Sequence, residues 1–78
     1  MPRFFFHVRR NGRRVDDDEG AVHDDVDAAL DEAVQGAREV VSGWVQAGDP
    51  IGAGGVVVTN EAGAIVGEIN FRDVVRTR

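Results

Sequence analysis

An Asn-Gly pair within a strand pattern constrains this chain more than any other feature. Residues 3–10 are rich in aromatic and β-branched side chains, Asn11-Gly12 follows, and residues 13–17 resume a strand pattern. Asn and Gly accept the positive φ angles of a type I′ turn, which joins antiparallel strands through two residues. Such a turn also fixes the strand register. It pairs Arg10 with Arg13, Arg9 with Arg14, and Val8 with Val15. The sequence therefore predicts a β-hairpin over residues 3–17.

The longest regular pattern predicts an amphipathic helix over residues 26–47. At 100° per residue, the apolar side chains lie within about 80° of one direction. Asp25 is the expected N-cap, Gly48 the expected C′ residue, and Pro50 prevents continuation. The predicted apolar arc comprises Val26, Leu30, Ala33, Val34, Ala37, Val40, Val41 and Trp44.

Two glycines interrupt this helix, and each costs roughly 1 kcal/mol relative to alanine. Gly36 and Gly43 lie seven residues apart, at one margin of the apolar arc. Either the sheet simply tolerates them, or they allow another backbone to approach closely. The first interpretation is favoured, because an isolated helical glycine is a weak signal.

The remaining segments complete a β-β-α-β-β order. Residues 48–55 predict a linker, residues 56–71 a second hairpin, and residues 72–78 a tail that finishes the last strand or forms a helical turn. We expect one α+β domain over residues 1–78, with a four-stranded, mainly antiparallel sheet and the long helix on one face. Connectivity allows the strand orders 2-1-3-4 and 2-1-4-3.

Strand alternation divides the side chains between a core face and an open face of the sheet. Phe4, Phe6, Val8 and Val15 are expected to face the helix, as are Ile65, Ile69 and Phe71. His7 is expected beside Asp16, whose carboxylate favours the imidazolium. The predicted interaction surface lies on the open face and comprises Phe5, His7, Arg9, Arg14 and Val66.

Size and composition favour association. The chain has 78 residues and no cysteine, so its core is small, and oligomerisation is the usual remaining support for such a domain. We expect a homodimer, or a complex with another protein, at the open face or at a sheet edge. No signal-peptide pattern or membrane-spanning stretch is present in the sequence, so the expected location is the cytoplasm, with no membrane partner.

Known site chemistries do not match the sequence. The acidic run fails the EF-hand spacing, and the two histidines, His7 and His23, lack the spacing of a metal site. The nucleophile candidates Ser42, Thr59 and Thr77 have no histidine at an evident sequence position. The glycines of residues 52–55 precede a strand rather than a helix, unlike a phosphate loop. We therefore expect a non-enzymatic protein with no catalytic, cofactor-binding or metal-binding residue and no small-molecule substrate.

The charge distribution gives a second functional interpretation. Residues 1–14 carry five arginines and no acid, whereas residues 15–32 carry nine acids and no base. The hairpin tip could contact nucleic acid through Arg9, Arg10, Arg13 and Arg14. The acids that follow would offset much of the attraction to phosphate, so nucleic-acid binding is disfavoured. An enzyme with an unrecognised site is the least favoured interpretation.

Several segments resemble a family of small alphaproteobacterial proteins, domain of unknown function 6894. These segments are Pro2-Arg3-Phe4-Phe5-Phe6-His7-Val8, Asp18-Glu19-Gly20, Ala28-Ala29, Glu32-Ala33, Ala37-Arg38-Glu39, Thr59-Asn60-Glu61-Ala62-Gly63 and Phe71-Arg72-Asp73. The chain departs from the family pattern at Asp24, where proline is expected, and in its glycine-rich linker. The resemblance implies a cytoplasmic α+β domain and brings no activity or ligand with it.

Overall fold

The computed structural model describes residues 2–75. Its elements are β1 (Arg3–Arg10), β2 (Arg13–Val15), β3 (Ala21–Val22), α1 (Val26–Ala47), β4 (Gly54–Thr59), β5 (Ile65–Asn70) and α2 (Phe71–Val75). The predicted α+β class is confirmed: a mainly antiparallel sheet carries the long helix α1 on one face. Residues 76–78 of the predicted tail, including Thr77, lie outside the described residues.

The first hairpin has the predicted turn and register. Asn11 and Gly12 both have positive φ angles, of 54° and 83°, as a type I′ turn requires. The paired residues are Val8 with Val15, Arg9 with Arg14, and Arg10 with Arg13. Local sequence therefore determines this element, because the turn permits only one register.

The second strand of the hairpin is interrupted. After Val15 the chain leaves the ladder for residues 16–20, and it returns as β3, where Ala21 pairs with Phe4. Within residues 2–75 the sheet consequently has five strands rather than the four predicted. The inserted residues form a loop beside the middle of β1, which we call the acidic loop.

The sheet order is β2-β1-β4-β5, with β3 also pairing with β1. In terms of the predicted strands this is the order 2-1-3-4, and neighbouring strands are antiparallel. The helix α1 has the predicted bounds. Asp25 caps its N-terminus by accepting a hydrogen bond from the Ala28 amide at 2.8 Å, and Gly48 ends it with a left-handed φ of 79°.

The core lies between α1 and the sheet. Small side chains on α1 allow the helix to lie close to the strands. Ala29, Ala33 and Ala37 are at most 3% exposed and form one line along the helix with Val41. The main sheet contacts of α1 are with β4 and β5. The helix therefore covers one half of its sheet face, the half formed by these two strands.

The second hairpin differs from prediction at both ends. It begins at Gly54 rather than Val56, because the glycines are strand residues: a Cβ at Gly54 would collide with the Arg9 carbonyl, and one at Gly55 with the Ile69 carbonyl. At the other end, Phe71 is fully buried as predicted but belongs to the helix α2. Its ring meets Trp44 edge-on, with centroids 5.0 Å apart.

An irregularity in β5 overturns the predicted position of Val66. Val58 pairs with Gly67, but Thr59 pairs with Ile65, so Val66 is an extra residue in the ladder. A β-bulge of this kind reverses the alternation beyond it. Val66 therefore packs against the core, not on the open face. Ile65, which was predicted to be in the core, is 60% exposed.

Candidate functional site

The open face of the sheet is more covered than its sequence predicts. The Phe5 ring is half-buried and nearly parallel to the His7 ring, with centroids 6.5 Å apart. The acidic loop covers Phe5 so closely that a Cβ at Gly20 would lie 2.9 Å from the ring. Val57 and Thr59, in the next strand, are each 7% exposed. This face therefore offers little exposed apolar area for a partner.

Both ring nitrogens of His7 make hydrogen bonds. The Asp17 amide donates to Nδ1 at 3.1 Å, so Nδ1 has no proton and Nε2 carries it. Nε2 then donates to Thr59 Oγ1, also at 3.1 Å. Asp16 lies beside the ring, as the hairpin register predicts, with Oδ1 3.7 Å from Nδ1.

The same arrangement bears on Thr59 as a candidate nucleophile. A general base must accept the hydroxyl proton of its nucleophile. The Nε2 atom of His7 already carries a proton and donates it to Thr59. This pair is therefore a structural contact between β1 and β4, and it is not arranged as base and nucleophile.

The carboxylate of Asp17 holds the acidic loop to β1. It accepts hydrogen bonds from the amides of Phe6 and Gly20 at 3.0 Å and of Glu19 at 3.1 Å. Burial raises the pKa of Asp17, but these amides outweigh burial and hold the pKa below its ordinary value of 3.8. The side chain thus replaces the strand partner that Phe6 loses where the second strand is interrupted.

Two of the four arginines at the hairpin tip are engaged within the chain. The Arg10 guanidinium lies 3.7 Å above the centre of the Trp44 ring, a cation–π contact that joins the tip to the end of α1. Arg14 forms an ion pair with Asp16. Arg9 and Arg13 are exposed. The tip is therefore less free to follow a phosphate backbone than its sequence indicates.

A first partly exposed region combines the free side of β5 with the margin of α1 that lies over it. Val45 is 57% exposed on this margin, next to α2. Ile65, which is 60% exposed, pairs with Thr59 and therefore lies on the open face of the sheet, away from α1. Val34 and Arg38 lie on the same helix margin, given the 100° spacing. We call β5 together with this margin the edge surface.

A second exposed apolar region lies at the opposite margin of α1. A cavity of about 290 Å³ separates the helix from β1. Phe6 and Val8 line it from the sheet, and Gly36 and Val40 line it from the helix. We call this cavity the groove. Val15, which pairs with Val8 beside it, is 68% exposed.

Neither region was predicted, although the sequence contains a signal for both exposed margins of α1. The predicted apolar arc spans about 160°, which is wider than a helix on two strands can bury. Gly36 marks the groove margin, because a Cβ there would meet nothing within 4 Å. The exposure of Ile65 has no such signal, since it follows from the bulge at Val66.

Two other kinds of feature are absent from the part of the chain that the structure describes. Among residues 2–75, no three histidine, aspartate or glutamate side chains converge as a metal site. In the same residues, no helix has the length and apolar character needed to cross a bilayer.

Comparison with known proteins gives one match at the family level. Residues 3–72 match the model of a domain of unknown function, DUF6894. No curated protein and no solved structure matches the chain.

Proposed function

Because this chain belongs to the DUF6894 family, a domain of unknown function, we propose its function from its own geometry. We propose that it is a non-enzymatic, cytoplasmic self-association domain. It forms a homodimer through the edge surface. The observation that carries the proposal is that, among residues 2–75, β5 has a strand neighbour on one side only, and Leu30 of α1 packs directly on it.

The strand component is backbone pairing. β5 ends the order β2-β1-β4-β5, and an edge strand presents amide and carbonyl groups to a further strand. A second β5, related by a two-fold axis, would add to it in antiparallel orientation. Such an interface is self-complementary, since the same strand contributes on both sides.

The helix component follows from strand and helix spacings. α1 lies over β4 and β5, and Leu30 packs on Gly67 so closely that a Cβ there would lie 2.5 Å from Leu30 Cδ2. Strands are about 4.8 Å apart, so pairing of the two β5 strands brings the two α1 axes to about 10 Å, a normal packing distance. Val34 of each chain would then be buried.

Charges on the helix margin fit the same arrangement. Asp27 and Asp31 lie in the N-terminal half of α1, and Arg38 lies in the C-terminal half on the same margin. The two-fold axis makes the paired helices antiparallel. Arg38 of one chain then comes level with the acids of the other, which adds attraction at the rim of the interface.

The test is the solution mass of charge-reversal variants. Light scattering after size exclusion should give twice the chain mass for the wild type at high micromolar concentration. Arg38→Glu should shift the population toward monomer, because it places glutamate against aspartate twice. The double variant Arg38→Glu, Asp31→Arg should restore the dimer.

Arg9→Glu is the matched control, because Arg9 is an exposed arginine on the predicted open-face surface. It should leave the dimer intact. A monomeric wild type would refute self-association. A dimer that resists Arg38→Glu but dissociates with Arg9→Glu would instead assign association to the open face.

A further inference from the structure

We propose that the groove binds an amphipathic α-helix of a partner protein. The groove has a volume of about 290 Å³ and is lined mostly by apolar side chains of β1 and α1. On its outer side, Val15 is 68% exposed, and on its helix side Val40 is 40% exposed. This surface lies on the margin of α1 opposite the edge surface, so the inference does not depend on the proposed dimer.

The dimensions of the sheet fit one further helix. Strands are about 4.8 Å apart and helices pack about 10 Å apart, so one helix covers about two strands. α1 covers β4 and β5, which leaves β1 and β2 with the width of a second helix. Phe6, whose ring meets the His23 ring edge-on, and Val8 form the floor on which its apolar face would lie, as in helix-in-groove recognition.

The helix wall of the groove permits close packing. Gly36 lies in the middle of this wall, and nothing lies within 4 Å of where its Cβ would be. A glycine in this position lets a second helix approach α1 more closely than a larger side chain would. Packing of the bound helix would offset the unfavourable helix propensity of Gly36.

The α1 helix of a second copy does not have the required chemistry. Its apolar stripe of alanines is already buried against its own sheet. Its outward arc carries Asp31, Gln35 and Glu39, which would lie unpaired on Phe6 and Val8. The occupant is therefore a helix from another protein, with a free apolar stripe.

Charge at the two ends of the groove sets the direction of the bound helix. Glu32 lines the groove in the second turn of α1. Beyond the other end of the groove, toward the hairpin tip, Arg13 is exposed and pairs with Arg10, which rests on Trp44. A helix dipole is positive at its N-terminus, so the partner helix lies with its N-terminus at Glu32 and its C-terminus at Arg13, roughly parallel to α1.

The test uses stapled helical peptides of about 15 residues with a leucine stripe. One peptide carries lysines in its N-terminal half and glutamates in its C-terminal half, and a second has these charges exchanged. The staple holds both helical. Titration into the isotope-labelled full chain should shift the amide NMR signals of Phe6, Val8 and Val40. The first peptide should bind about five-fold more tightly, as expected for two exposed ion pairs.

Gly36→Leu should abolish this binding, because the leucine fills the groove, and a dispersed amide spectrum will show that the variant remains folded. Gln35→Leu is the control, because Gln35 is exposed on the outward arc of the same helix and does not line the groove. Absence of binding at about 1 mM peptide, shifts confined to other surfaces, equal affinity for both peptides, or binding that survives Gly36→Leu would each overturn the proposal. Arg38→Glu should bind the peptide like the wild type, which separates this result from the dimer test.

Discussion

Single side chains decide how the interrupted second strand is held. Where the acidic loop leaves the ladder, the Asp17 carboxylate accepts the Phe6 amide that a strand partner would otherwise bind. The Asp17 amide, in turn, donates to His7. One residue therefore satisfies both sides of the gap, and the loop costs the sheet little of its hydrogen bonding.

We predict that Asp17→Asn destabilises the fold most at neutral pH. The variant has one acceptor oxygen where the carboxylate had two, so the free energy of unfolding should fall by about 1–3 kcal/mol at pH 7. The native pKa of Asp17 is lowered, so the stability from the charged form is present above the unfolded pKa and is lost as the pH falls through the native pKa. The difference from wild type should therefore shrink below about pH 4.

Urea denaturation at pH 7 and pH 3 measures both quantities. Asp18→Asn is the control, because Asp18 is an exposed neighbour with the same side chain, and it should change stability by no more than about 0.5 kcal/mol. A destabilisation by Asp17→Asn that is the same at both pH values would contradict the role of the carboxylate charge.

Residue-scale features were predictable where they depend on chain neighbours alone. The N-cap at Asp25 and the helix end at Gly48 depend only on the adjacent turn of helix and on the residues just outside it. Both predictions are confirmed. The position of Val66 was wrong, because the bulge exists only in relation to β4. Alternation within a single strand cannot reveal an extra residue between two strands.

At the scale of elements, the start of β4 is the clearest departure from the sequence interpretation. A glycine-rich segment is typical of a flexible linker, yet Gly54 and Gly55 are paired strand residues. They are glycines because carbonyls of β1 and β5 occupy the space where a Cβ would be. The same composition thus serves close strand packing instead of flexibility.

We predict opposite effects for the same substitution at two glycines. Gly55→Ala should lower the free energy of unfolding by about 1–3 kcal/mol, because its Cβ would collide with the Ile69 carbonyl and the strands must separate. Gly43→Ala should raise it by about 0.5–1 kcal/mol, because the site is helical with open space and alanine favours helix. Thermal or urea denaturation of both variants provides the measurement. Equal effects of the two would contradict the strand assignment of Gly55.

The sequence predicts that α1 exists, but it does not predict which of its side chains are buried. Its period and caps predict residues 26–47, and the structure agrees. Which part of its wide apolar arc is buried depends on the strands that it crosses. The answer is a narrow line of alanines, with Val40 and Val45 left 40% and 57% exposed on opposite margins.

At the scale of the whole molecule, these two margins give the domain two distinct surfaces. We propose that the edge surface pairs with a second copy and that the groove binds a helix of another chain. A dimer formed through the edge surface would carry two grooves on its outer sides, so it could hold two partner helices at once. Such bivalent binding strengthens attachment to a partner that presents two helices.

We predict that the thermal stability of the chain depends on its concentration. Association of folded chains stabilises them by mass action, so the unfolding midpoint of the wild type should rise by about 3–5 °C for each tenfold increase in concentration, given a domain of this size. The midpoint of Arg38→Glu should change less over the same range. A wild-type midpoint that is independent of concentration would speak against a dimer coupled to folding.

The sequence by itself determined the hairpin register, the helix and its caps, and the α+β class, because turn geometry, capping and side-chain periodicity act over a few neighbouring residues. The tertiary structure decided the strand order, the interruption of the second strand, the bulge at Val66 and the half of the sheet that α1 leaves uncovered. These features depend on contacts between residues far apart in the chain, which local patterns do not encode. Both proposed surfaces depend on that second set of features, and for this reason they differ from the predicted surface of Phe5, His7, Arg9, Arg14 and Val66.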